Sequence, residues 1–187
     1  PYQKFKEFYH EALNKNQSCI EAVAISSFNS EADEVDSRFV NLKYIAKDEW
    51  IFFSNYNSVK SRQFELHPQI SAMFYWKEID TQIRIKAKIK RTSNEFNKEY
   101  FFNRSKEKNA LAIASNQSQR ISSFETVKSK FTETLENGDL GKRPDYWGGF
   151  SFTPYYFEFW RGSDFRLNHR KAFSKVEDGW ESSILEP

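Results

Sequence analysis

Two arginines four residues apart, Arg166 and Arg170, close the segment WGGFSFTPYYFEFWRGSDFRLNHR at 147–170. Arginine supplies a planar, permanently charged set of donors, and tryptophan a broad ring face. The segment reads as a Trp-Gly-Gly turn, an aromatic strand, a Trp-x-Gly turn, and a second strand carrying both arginines. Glycine lets a neighbouring backbone or a flat ligand come close. An aromatic strand that only packs a core needs no arginines. The segment is therefore expected to meet an anionic, aromatic ligand.

The elements that must hold these residues follow from periodicity. Residues 2–15 place Phe5, Phe8, Tyr9, Ala12 and Leu13 on one helical face. Strands are expected at 21–28, 38–45, 50–55 and 69–77, with a hairpin turn at Lys47–Glu49. Ser58 is placed to cap a short helix running to Leu66, and Pro68 marks its end. The plainest period-2 run is TQIRIKAKIKR at 81–91: Ile83, Ile85, Ala87 and Ile89 point one way, Gln82, Arg84, Lys86, Lys88 and Lys90 the other. Helical spacing then takes over from about 94 to 136, in three pieces broken near Ser105 and near 116–122. The last strands are expected at 149–176 and 180–185. Strands, then inserted helices, then strands, without βα alternation, indicate an α+β fold on an antiparallel sheet or barrel.

Bulk composition narrows the function classes. A length of 187 residues suits a single domain over 1–187, with an N-terminal helix at 1–16 and a helical insertion at 94–136. Aromatic residues make up 18%, including 19 Phe, which exceeds what a small core needs, so some rings are expected to line a pocket or a subunit interface. A net charge of +2 gives no general pull toward nucleic acid or anionic membrane. The basic run Arg84–Arg91 could track a nucleic-acid backbone. A charged outer strand face that discourages edge pairing explains it better, given that balanced charge. The single cysteine, Cys19, fits a reducing compartment, and the three scattered histidines show no metal spacing. No apolar run is long enough for a membrane span, and the first residues lack the apolar centre of a signal peptide. The cytoplasm is the expected location. The chain lacks an initiator Met and is expected to be trimmed.

WGGF (147–150), EFWRG (158–162) and RLNHR (166–170) resemble the C-terminal signature of the pyridoxamine (pyridoxine) 5′-phosphate oxidases. The likeness runs upstream in order through SRFVNLK (37–43), FFSNYNSVK (52–60), TQIRI (81–85), EYFFNR (99–104) and NQSQ (116–119), and covers nearly everything after Ala22. It implies an FMN-binding split β-barrel with flanking helices, paired as a homodimer with the flavin between subunits. It also implies oxidation of a phosphorylated pyridine, pyridoxamine or pyridoxine 5′-phosphate, by hydride transfer to flavin N5, with dioxygen returning as hydrogen peroxide. Carried over residue by residue, the FMN positions are Arg38, Phe39, Val40, Phe53, Ser54, Lys60, Gln82, Gln117, Ser118, Trp160 and Arg170. The substrate positions are Lys43, Tyr100, Arg104, Lys108, Arg166 and Asn168, with Arg166 steering the substrate over the ring. Tyr100 and Arg104, four apart on an expected helix, would share a face and offer a hydroxyl and a bidentate fork to one phosphate. Taken singly, each of these is a surface charge or a turn residue; the ordered set carries the reading.

Three positions depart from the family pattern. Val59 stands where an arginine near the flavin phosphate is usual. Lys108 replaces a small hydroxyl residue, and Asn168 the histidine of an Arg-Leu-His triplet. These departures motivate two alternatives: an oxidase of the same fold with another substrate, of the phenazine-biosynthesis type, or a non-catalytic protein that binds flavin or vitamer. His169, next to Asn168 on an expected strand, should face away from it and serve structure.

Overall fold

A computed structural model describes residues 1–187. Five helices, α1 (Tyr2–Asn14), α2 (Val59–Leu66), α3 (Asn94–Phe102), α4 (Lys106–Ala114) and α5 (Phe124–Asn137), accompany nine strands. The strands are β1 (Ala22–Asn29), β2 (Glu34–Asn41), β3 (Tyr44–Ala46), β4 (Glu49–Asn55), β5 (Gln69–Trp76), β6 (Thr81–Arg91), β7 (Trp147–Arg161), β8 (His169–Val176) and β9 (Gly179–Leu185). No helix is long and apolar enough to cross a membrane.

All nine strands join one antiparallel sheet in the order β2-β1-β5-β6-β7-β4-β3, with β8 and β9 branching from β7. The branch is a matter of length. β7 has 15 residues; its first part, 147–152, pairs with β4, and its last part, 156–161, pairs with β8. Between them the register with β6 shifts: Lys86 faces Tyr156 while Ala87 faces Pro154. Tyr155 is the extra residue of a bulge, and Pro154, with no N–H to give a ladder, sits where pairing is already broken. The bulge turns one strand into the shared seam of a split barrel.

The period-2 run resolves as expected. Ile83, Ile85, Ala87 and Ile89 are buried in the barrel. Helix α1 caps the interior: Phe5 packs edge-on to Trp50 at 4.5 Å between ring centroids and lies 5.4 Å from Trp76. Glu11 of α1 holds Arg161 of β7 through both guanidinium nitrogens, at 2.5 and 3.1 Å. Of the basic run, Arg84 pairs with Glu158, Lys90 with Glu49 and Arg91 with Glu65, so much of its charge is met within the chain.

Several local expectations are corrected. Trp147, Gly148 and Gly149 form no turn; they begin β7. A side chain at Gly148 would collide with the Tyr56 ring and come within 2.7 Å of Asn97 Nδ2, so the glycine admits those two side chains rather than a ligand. The strand expected at 38–45 breaks at Leu42 and Lys43 into β2 and β3. Ser58 occupies the cap position of α2, but its hydroxyl makes no capping bond and meets the Ser61 hydroxyl at 3.0 Å instead. Arg166 is not on a strand: Phe165 and Arg166 have φ of 56° and 63° in a 3-10 turn, and only Arg170 lies on β8.

Candidate functional site

A cleft of roughly 330 Å³ opens where β2, β4, α2, α3, α4 and the start of β7 converge. Ten of the residues singled out in the sequence line it: Phe39, Val40, Lys43, Phe53, Ser54, Lys60, Tyr100, Arg104, Lys108 and Gln117. Arg38 stands behind its wall. Its guanidinium donates to the Ser27 hydroxyl at 2.6 Å and to Gln63 Oε1 at 3.0 Å. Gln63 in turn donates to Asp36, and Asp36 lies 3.7 Å from Arg38. Arg38 is thus tied down by its own strand neighbours and by α2.

Lys60 is the most informative charge in the molecule. It is buried on α2, and its ammonium reaches only two hydroxyls, Ser54 at 3.3 Å and Ser58 at 3.5 Å. Burial, and then the charge of Arg38, lower its pKa from the ordinary lysine value. Burial also lowers that of Arg104, which the phenol of Tyr100 only partly offsets. Lys43, Lys60, Arg104 and Lys108 face this cleft, none has a carboxylate partner, and no Asp or Glu lines it. Cations gathered in a partly desolvated site without counter-charge suit anions. Ser54 and Gln117 add polar contacts at the floor: Gln117 Oε1 accepts from the Ser54 hydroxyl and the Asn55 N–H, both at 3.3 Å.

Arg104 does not share a helix with Tyr100, since α3 ends at Phe102. The two still meet at the cleft because α3 and the link to α4 fold over Trp147. The Arg104 guanidinium lies 4.3 Å from the Trp147 ring and donates to Asn109 Oδ1 at 3.1 Å. Buried Asn109 is itself fixed by donation to the carbonyls of Phe101 and Leu140. Neither Trp147 nor Asn109 was among the expected site residues, although Trp147 opens the WGGF motif. The glycines after Trp147 hinted at close packing there; Asn109, on an ordinary amphipathic helix, gave no signal.

The remaining residues lie elsewhere in the chain. Antiparallel register places Tyr75, Gln82, Trp160 and Arg170 in one row across β5, β6, β7 and β8, hence on one face of the sheet. Phe39 and Met73 project from the same face through their pairings with Ala24. Phe39, Met73 and Tyr75 are exposed large hydrophobic side chains. Arg166 is exposed, and Asn168 Oδ1 accepts the Ser163 N–H at 3.3 Å, closing the 163–168 turn. Arg170 borders a different groove from the cleft of Lys60, and Ser118 is exposed with φ of 71°. His169 is exposed at the start of β8. One chain therefore places ten of the expected residues in a cationic cleft and Gln82, Trp160 and Arg170 in a row on an aromatic sheet face, with Arg38 behind the cleft wall and Ser118, Arg166 and Asn168 outside both.

Comparison with known proteins agrees with this architecture. A family model described as pyridoxamine 5′-phosphate oxidase matches residues 9–137, and one described as the pyridoxine 5′-phosphate oxidase C-terminal dimerisation region matches 147–187. A pyridoxine/pyridoxamine 5′-phosphate oxidase of Christiangramia forsetii is 36% identical, and one of Hydrogenovibrio crunogenus 32%; each alignment spans all of this chain and 88% of the relative. The crystal structure of PhzG from Burkholderia lata, in complex with tetrahydrophenazine-1-carboxylic acid, superposes with a TM-score of 0.94 at 26% identity, covering 100% of this chain and 92% of that one. A pyridoxamine 5′-phosphate oxidase-related, FMN-binding protein of Nostoc punctiforme shares the fold, with a TM-score of 0.80 at 12% identity over 100% of this chain and 98% of that one. With both halves matched in order on an α+β split barrel, the chain belongs to the pyridoxamine 5′-phosphate oxidase family of FMN-dependent oxidoreductases.

Proposed function

We propose that this protein is an FMN-dependent oxidase of pyridoxamine 5′-phosphate or pyridoxine 5′-phosphate, acting as a homodimer. The observation that carries the proposal is Lys60, buried near Arg38 and itself bonded only to the hydroxyls of Ser54 and Ser58, with no carboxylate partner of its own. FMN brings a phosphate of two negative charges; Lys60 and Ser54 in the cleft fit it with a cation and a hydroxyl, and Arg38 adds its positive charge from behind the wall. The second anion, the phosphate of the substrate, suits Lys43, Tyr100, Arg104 and Lys108 further along the same cleft. Bound FMN supplies the hydride acceptor and, through dioxygen, hydrogen peroxide. The protein's own part is placement: a misalignment of about 1 Å can cost on the order of 10²-fold in rate.

A second copy supplies what one chain separates. The sheet face with Gln82, Trp160 and Arg170 also exposes Phe39, Met73 and Tyr75, an aromatic and apolar surface suited to self-association. Pairing through it would bring that row, with Arg166, to the other subunit's cleft, where Arg166 steers the substrate. The lone Cys19 supports a reducing, cytoplasmic setting.

The likeness to PhzG favours a second reading, an oxidase of a reduced tricyclic carboxylic acid. Asn168 supports it too, because it closes its own loop and offers no titratable group to a pyridine ring. The FMN-loaded protein with pyridoxamine 5′-phosphate is expected to release aldehyde and peroxide together. Bleaching of the flavin by a reduced phenazine carboxylate, with none by either vitamer, selects the second reading. Failure with both compounds rejects the two.

A further inference from the structure

Glu158 sits in the middle of β7, 3% exposed, with arginines on the strands to either side. Its Oε1 accepts from Arg170 Nε at 3.1 Å and from Nη2 at 2.8 Å. Its Oε2 accepts from Arg84 Nη1 and from the Tyr156 hydroxyl, each at 3.0 Å. Arg170 Nη1 also donates to the Glu186 carbonyl at 2.8 Å. A guanidinium has five N–H groups. Three are used here inside the chain, which fixes the plane of the group and leaves one N–H on each terminal nitrogen to give elsewhere.

A buried carboxylate between two arginines is poor evidence for added stability, because an apolar group of the same shape often does as well. Its effect on Arg170 is more specific. A free arginine side chain loses much rotamer entropy when it is held, and a pre-set fork loses less of it when a ligand arrives. Burial works to raise the Glu158 pKa, but hydrogen bonds from Arg170 and Tyr156 and the charges of Arg84 and Arg170 outweigh it and hold it low. The carboxylate therefore stays charged at neutral pH.

We propose that Glu158 is a positioning residue that aims Arg170 at the flavin. This rests on the FMN reading above, in which Arg170 meets the cofactor. Glu158 touches neither cofactor nor substrate and acts only through the arginine.

The test is a double-mutant cycle on FMN affinity, titrated by flavin fluorescence in wild type, E158Q, R170A and the double variant. E158Q is expected to weaken FMN about tenfold in the wild-type background and by less than about twofold when Arg170 is already alanine. An equal loss in both backgrounds means a merely structural role and overturns the proposal. So does an E158Q protein that binds FMN as tightly as wild type. Wild type that takes up no FMN removes the cofactor reading, and this inference with it. If E158Q does not accumulate folded, E158D keeps the charge but draws it back by one methylene, and the same dependence on Arg170 is expected of it.

Discussion

The ring of Tyr100 lies flat on that of Phe53, with centroids 3.7 Å apart and planes 6° apart. Phe53 is in turn nearly parallel to Trp147 at 5.2 Å, with Trp147 beside the Tyr100–Phe53 stack, so α3, β4 and β7 bring parallel rings together. That packing sets where the Tyr100 hydroxyl stands at the mouth of the cleft, beside Arg104. Removing the hydroxyl and removing the ring should therefore have separable effects.

Y100F keeps the stack and loses the hydroxyl. Its KM for pyridoxamine 5′-phosphate is expected to rise about tenfold with thermal stability unchanged. Y100A also unstacks Phe53 and should lose about 1–2 kcal/mol in denaturant unfolding. Equal KM values for Y100F and wild type would remove Tyr100 from the phosphate site.

Lys60 should show opposite signs for stability and binding. K60M replaces an unpaired buried charge with an apolar chain of similar length, so the flavin-free protein should gain about 1 kcal/mol. The same change should weaken FMN roughly a hundredfold. The pKa of Lys60 lies below the ordinary 10.5 in the free protein because of burial and Arg38, and a bound phosphate draws it back up. FMN affinity is then full below the lowered value and falls as pH rises through it. With no ligand, stability moves the other way and improves over that window, since the unfolded chain binds the extra proton. Calorimetry in two buffers of different ionisation enthalpy should detect proton uptake on FMN binding there in wild type and not in K60M.

Gly148 supports the cleft from behind. Asn97 donates to the Tyr56 hydroxyl at 3.0 Å and accepts the Gly149 N–H at 2.8 Å, and Tyr56 donates to the Gly149 carbonyl at 3.1 Å. This buried network ties α3 to β7. G148A pushes a methyl into it and should cost about 3 kcal/mol. G141A is the control, because its added carbon meets only a side-chain oxygen of Asp139 at 3.6 Å. Equal melting temperatures for the two variants would dismiss the crowding argument.

Arg166 occupies the left-handed region without being glycine. R166G removes that strain and adds backbone freedom to the unfolded chain, so stability should stay within about 0.5 kcal/mol of wild type. Turnover should fall by about 10²-fold or more if this side chain steers the substrate. Unchanged turnover would assign the steering to another group.

Sharing of the site between subunits is open to a dilution experiment. Sedimentation followed at flavin wavelengths should show FMN leaving as the dimer dissociates. A monomer that keeps its flavin with undiminished affinity would place the whole site in one chain.

Periodicity alone determined much of the fold. Strict alternation at 81–91 marks β6, and the breaks near Ser105 and 116–122 separate α3, α4 and α5, because burial on one face forces a period and a lost period marks an end. The resemblance carried by the ordered motifs named most residues of the cleft, although singly each reads as a surface charge or a turn residue. Tertiary structure decided the rest. The Trp-Gly-Gly stretch reads as a turn by composition, yet it is strand, because its glycines make room for Tyr56 and Asn97, residues distant in sequence. Arg104 falls beyond its helix and is aimed by Trp147 and Asn109. The partition of the cationic residues also had no local signal: Lys60 is left unpaired while Arg170 is held by Glu158, because a counter-charge comes from whichever strand the register brings alongside.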